Sequence, residues 1–166
     1  MDTPTVAEVV RAIDSAFSGV ALGNGITLHQ ADAIDDNSSE SEQVAARTLD
    51  TDNCWQEVPA DLIEHFSCQL SFVDGEGFRY YIPAFMRWVV QNYETSDSFT
   101  VDSTIYGLSY AADPGHSPVV QALPLFSEAQ RQAIATFLVH MRAAGRFADA
   151  PHAQRALDSY WGRYAG

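Results

Sequence analysis

The chain has 166 residues, 46% hydrophobic and 11% aromatic, with 22 acids against nine basic residues and a net charge of −13. That length fits one domain with a single core, and every basic residue is an arginine because no lysine occurs. The balance excludes a basic nucleic-acid footprint and an anionic-membrane binder, and the missing lysine excludes Schiff-base and Walker-A chemistry.

The first predicted helix is capped by Thr3 or Thr5, carries Val6, Val9, Val10, Ile13 and Phe17 on one face, and stops near Gly19. The stretch GVALGNGITLHQADAIDD, residues 19–36, holds three glycines and then an apolar–polar mixture with room for one helical turn. The polar run DDNSSESE, residues 35–42, predicts a flexible acidic loop. Within it Ser39 and Glu42 form a capping-box pattern for a helix through Val44, Ala45 and Leu49. Residues 59–70, PADLIEHFSCQL, read as a helix with Leu62, Ile63, Phe66 and Leu70 inward. Asp74, Gly75 and Gly77 mark a turn, and Pro83 opens a helix that buries Phe85, Met86, Val89 and Val90. Residues 99–110 alternate enough for a short hairpin or strand, with a short helix as the competing reading. Ser127 and Gln130 repeat the capping-box pattern ahead of Ala133, Ile134, Phe137, Leu138 and Met141, with a stop at Gly145. A last helix begins near Pro151 and carries Leu157, Tyr160 and Trp161. The expected fold is mainly α: one compact domain over residues 1–166 with five or six helices.

The opening MDTPTVAEVV lacks the basic and apolar regions of a secretory signal. No apolar run approaches the roughly 18 residues of a membrane span, so the expected location is cytoplasmic. Reduced thiols at Cys54 and Cys68 follow from that compartment. No cofactor is expected, since there is no CxxC pair and no set of ligands at zinc-site spacing. Charge is uneven: residues 1–60 carry −9, residues 61–113 carry −6, and residues 114–166 carry +2. That asymmetry predicts pairing of the C-terminal arginines with the acidic N-terminal part.

The segment GFRYYIPAF, residues 77–85, is the most distinctive in the chain. It is joined by Trp55, by the run Phe126-Ser127-Glu128-Ala129-Gln130, by Ala133-Ile134 and Phe137-Leu138, and by Tyr160-Trp161. Together these residues resemble a family of uncharacterised bacterial domains. Its members place a Trp and a short helix ahead of a GFRYYLPAY-like segment, then a C-terminal LS-x-x-Q-x-x-AI-x-x-FL helix. The resemblance covers most of the chain. Because the family is one of unknown function, it implies a shared fold and carries over no catalytic residue.

Three groups of residues are candidates for chemistry. His65 and Cys68 stand three apart on a predicted helix, the spacing of a Cys–His pair, but no nucleophile signature surrounds them. His29, Asp32, Asp35 and Asp36 offer one imidazole and three carboxylates to a divalent metal, without the spacing of an EF-hand. Arg79, Tyr80 and Tyr81 are residue types favoured in binding pockets, while a structural salt bridge from Arg79 is the more ordinary reading. No GxSxG, GxGxxG or P-loop occurs.

The function expected from these features is a non-enzymatic, acidic protein-binding module that captures a basic protein partner. Its binding residues would be Arg79, Tyr80, Tyr81, Asp35, Asp36, Glu40 and Glu42. An immunity- or antitoxin-type protein neutralising a basic toxin is the sharpest form of that expectation. The alternative is a small-ligand binder or enzyme using a pocket around Arg79, Tyr80 and Tyr81, or a metal site near His29 to Asp36.

Overall fold

A computed structural model describes residues 2–166. Nine α-helices and no strand occur among them, against the five or six helices expected. They are α1 (Val6–Ala16), α2 (Leu28–Asp35), α3 (Glu40–Arg47), α4 (Ala60–His65), α5 (Gly75–Asn92), α6 (Thr100–Ser109), α7 (Pro118–Ala122), α8 (Glu128–Met141) and α9 (Ala150–Ser159). Short 3₁₀ turns complete several of the connections. No helix among the described residues is long and apolar enough to cross a membrane.

The architecture is a central helix inside a jacket. In α5, 13 of 18 residues are buried, including Phe78, Tyr80, Tyr81, Phe85, Met86 and Trp88. A helix that is apolar nearly all round must be covered on every side. Helices α1, α6 and α7 pack on it directly, α8 lies against α1, and α9 closes the far side by packing on α6 and α8. Two indoles fasten this jacket. The buried Trp55 donates from Nε1 to the Phe17 carbonyl at the end of α1 (2.9 Å), and the buried Trp161 donates to the Leu108 carbonyl in the last turn of α6 (2.9 Å). Each adds a side-chain donor to a carbonyl at a helix C-terminal end, where backbone acceptors outnumber backbone donors.

The local signals explain the helix starts. Thr5 with Glu8, Ser39 with Glu42 and Ser127 with Gln130 form complete capping boxes at α1, α3 and α8. The predicted loop 35–42 is divided in the structure: Asp35 ends α2, residues 36–39 connect, and Glu40 opens α3. Asn37 carries the turn with φ 55°, a left-handed conformation that Asn tolerates.

Three expectations are corrected. Residues 99–110 form no strand; α6 covers Thr100–Ser109, with Val101, Ile105 and Leu108 buried at helical spacing. The β-branched residues that suggested a strand are held in the helix by bonds of their own. Thr104 donates to the Thr100 carbonyl (2.7 Å), and Thr100 donates to the Ile63 carbonyl of α4 (3.0 Å). Pro83 does not open a helix; it sits inside α5, which starts two turns earlier. The segment 59–70 is not one helix, because α4 ends at His65 and Phe66 turns out of helical conformation (φ −92°, ψ 44°) ahead of a 3₁₀ turn at Gln69–Ser71.

The glycines ahead of the aromatic motif are packing positions in the first turn of α5. A Cβ at Gly77 would lie 2.5 Å from the Ile26 carbonyl oxygen, and one at Gly75 would lie 2.7 Å from the backbone of Gln121 in α7. Asp74 caps α5 by accepting from the Gly77 N–H (2.8 Å), and the same carboxylate oxygen accepts from the Ile26 N–H (3.0 Å). The start of α5 is thereby locked to the link between α1 and α2. Gly77→Ala is expected to destabilise the protein by about 1–3 kcal/mol, since the obstruction is backbone and cannot swing away. Gly115→Ala, where a Cβ meets open space, is the control. Urea unfolding with an unchanged m-value reads the difference; a Gly77→Ala variant as stable as the control would refute this packing role.

Candidate functional site

The segment from Arg47 to Leu62 runs from the last turn of α3 into α4 and is tied to α5 through Asp52. Arg47, in the last turn of α3, donates to the Gly25 carbonyl, to Gln30 Oε1 (3.2 Å) and to the Gly23 carbonyl (3.2 Å). Asp50, whose side chain is 2% exposed, accepts from the His29 backbone N–H (3.1 Å) and faces His29 Nδ1 at 2.9 Å. Two residues on, Asp52 Oδ2 accepts from the Tyr80 hydroxyl at 2.5 Å. Tyr81 stands edge-on to Tyr80 with ring centroids 4.9 Å apart, and its buried hydroxyl has no hydrogen-bond partner among the described residues.

These contacts fix the ionisation of the two phenols. Burial, then the hydrogen bond to Asp52, pushes the Tyr80 hydroxyl far above its ordinary range. Burial, then the negative charges of Asp50 and Asp52, does the same at Tyr81. Both hydroxyls are therefore held in the neutral form at ordinary pH.

The sequence-predicted residues are distributed rather than gathered. Tyr80 and Tyr81 are buried and turned toward residues 50–52, whereas Arg79 is half-buried on another side of α5 and donates from Nε to Gln130 Oε1 (3.2 Å). Gln130 also donates to the Ala16 carbonyl (3.2 Å), so Arg79 reaches the junction of α1 and α8. No salt bridge forms at Arg79 among the described residues, which corrects the more ordinary reading. Asp35, Asp36, Glu40 and Glu42 are exposed at the end of α2, in the connection and on α3.

The other predicted groups separate too. His29 turns to Asp50 and Asp32 accepts from Gln69 Nε2 (3.1 Å), while Asp35 and Asp36 face solvent. No group of three metal-ligating side chains converges among the described residues. His65 ends α4 and Cys68 lies beyond its cap, so the two share no helix face; Cys54 and Cys68 are both free. The expected pairing of C-terminal arginines with N-terminal acids is also corrected, because no such ion pair occurs among the described residues. Arg131 donates instead to the Leu123 carbonyl (2.7 Å) and Arg163 to the Tyr160 carbonyl (2.9 Å).

What remains at the surface is an acidic region built on α3. Helix α3 buries no residue and packs on α2, and its outward side shows Val44 (60% exposed), followed by Leu49 (61%). Beside Leu49 a hollow of about 160 Å³ is lined by Thr51, Asp52, Glu57, Pro59 and Leu62. Sequence reasoning missed Asp50, Asp52 and Glu57. Their one local signal was acidity beside Trp55; the histidine and tyrosine that Asp50 and Asp52 meet lie more than 20 residues away in the chain, and Glu57 meets Asn53 four residues before it.

Stability should report the neutral phenols. Because the folded state keeps Tyr80 protonated above the unfolded value of about 10, its contribution is full below that pH and declines as pH rises past it. Tyr80→Phe is expected to make the alkaline fall in stability shallower, as read by urea unfolding across the alkaline range. An unchanged slope would show that Tyr80 ionises as freely in the fold as outside it.

No curated protein and no solved structure matches the chain significantly. One family model matches residues 5–165, nearly the whole of the described fold, so the jacketed α5 and the acidic segment both fall inside it. The chain belongs to the Family of unknown function (DUF6714).

Proposed function

We propose that the protein is a non-enzymatic binding module whose α2–α4 face captures a basic protein partner. The observation that carries this reading is the uncompensated charge of that face around exposed apolar side chains. Residues 35–64 hold nine acids and one arginine. Seven of the acids are exposed: Asp35, Asp36, Glu40, Glu42, Glu57, Asp61 and Glu64. The single arginine, Arg47, directs its donors into the fold at Gly23, Gly25 and Gln30. Val44 and Leu49 supply apolar contact area within this field. A partner with arginine or lysine around an apolar patch matches both features, and the charge would speed encounter by steering. Neutralisation of a basic toxin is the sharpest form of the proposal, and the same complementarity is what supports it.

The alternative pocket around Arg79, Tyr80 and Tyr81 has less support, because Arg79 turns to Gln130 while the Tyr80 hydroxyl turns to Asp52. A photo-crosslinking amino acid placed at Val44, with Ala7 on α1 as the control position, tests the binding face. The expected adduct forms at Val44 and contains a basic protein. Its yield should fall steeply with added salt and in the Asp35→Asn, Glu40→Gln, Glu64→Gln variant. An adduct indifferent to salt and to these neutralisations, an acidic partner, or no adduct at Val44 would overturn the proposal.

A further inference from the structure

We infer that the hollow beside Leu49 is an arginine pocket, the place where one guanidinium side chain of the basic partner seats. The inference rests on the proposed binding face and names the side chain that it recognises.

The hollow encloses about 160 Å³. That is room for roughly five waters at about 30 Å³ each, and a guanidinium with its adjoining methylenes fits within it. Its walls divide by chemistry. Leu49, Pro59 and Leu62 form an apolar side suited to the methylene stem of a long cation. Asp52 and Glu57 supply the carboxylates.

Both carboxylates are held in place before any ligand arrives. Asp52 Oδ2 is bound by the Tyr80 hydroxyl, which is anchored in the core on α5. Glu57 Oε2 accepts from the Asn53 backbone N–H (2.9 Å) and from Asn53 Nδ2 (3.3 Å). Because Asn53 directly follows Asp52, those bonds draw the Glu57 carboxylate back beside Asp52. Each acid keeps its second oxygen, Asp52 Oδ1 and Glu57 Oε1, without a protein donor among the described residues.

Two fixed carboxylates with one free oxygen each, beside an apolar wall, suit a flat group with several divergent N–H donors. Guanidinium has that form, whereas an ammonium is a strongly hydrated point charge that gains less from the wall. No arginine of this chain lines the hollow. A guanidinium seated there would be the partner's.

The test uses the full isotope-labelled chain titrated with three peptides, acetyl-Gly-Xaa-Gly-amide, in which Xaa is arginine, lysine or citrulline. The expected result is chemical-shift change confined to Leu49, Thr51, Glu57 and Leu62, with arginine bound about fivefold more tightly than lysine and citrulline unbound. Glu57→Gln should weaken arginine binding about fivefold without loss of thermal stability, since Glu57 is exposed. Asp52→Asn, which keeps an oxygen acceptor for Tyr80, serves as the second variant. Equal binding of arginine and lysine, shifts spread over the acids of α2, α3 and α4, or no binding at all would overturn the arginine pocket. Equal or dispersed binding would leave the acidic binding face standing. A peptide seated in the hollow with no basic partner crosslinked at Val44 would sink that face and keep the pocket.

Discussion

The burial of α5 governs the arrangement of everything else. A helix with apolar residues on nearly every side cannot lie on a surface, so the remaining helices are deployed to cover it. The covering has to come close, and glycine makes that possible: Gly77 meets the Ile26 carbonyl and Gly75 meets Gln121 at distances that admit no side chain. Asp74 then joins the two backbones through one carboxylate oxygen. The first turn of α5 is consequently a junction, where the α1–α2 link and α7 both reach the central helix.

The same burial determines the character of the acidic segment. Residues 48–54 form no regular secondary structure, yet they are tied inward at Asp50 by His29 and at Asp52 by Tyr80. A loop attached to the core at two alternate residues cannot wander, and side chains between and beside those anchors inherit fixed positions. Each tie is also a commitment, because a half-buried carboxylate that loses its donor is left poorly solvated. The order of the segment therefore comes from polar groups on two helices, His29 on α2 and Tyr80 on the buried α5, and a surface hollow gains preorganised walls as a result.

What could be read in the sequence was local. The capping boxes at Ser39 and Ser127 were legible because donor and acceptor lie three residues apart, and the structure forms both. The mainly helical class and the buried face of α8 followed from spacing in the same way, as did Val9, Ile13 and Phe17 at α1, whereas Val6, expected on that face, is exposed. Gly75 and Gly77 misled because their reason is tertiary: a glycine pair reads as a turn until the backbones of Ile26 and Gln121 are placed against it. Thr100 and Thr104 misled for a related reason, since strand preference among β-branched residues yields to packing and to hydroxyl bonds. At the candidate site, Asp35, Asp36, Glu40 and Glu42 were visible as a charge run. Asp52 and Glu57 were not, because their distinction is a tyrosine 28 residues on and an asparagine that folds back.

The absence of lysine takes on a second meaning from the contacts of the arginines. Arg47, Arg131 and Arg163 donate to backbone carbonyls, Arg79 donates to a glutamine, and Arg87, Arg131, Arg146 and Arg163 lie over aromatic rings. Among the described residues, the one arginine–carboxylate ion pair is Arg87 with Asp14. Planar guanidinium groups suit carbonyls and ring faces in a way that an ammonium does not. These six of the nine arginines are thus engaged in holding helix ends and aromatic packing, and they do little to neutralise acids at close range. Because no arginine–carboxylate ion pair forms at the acids of residues 35–64 among the described residues, their field extends outward, where only solvent ions or a cationic partner can answer it.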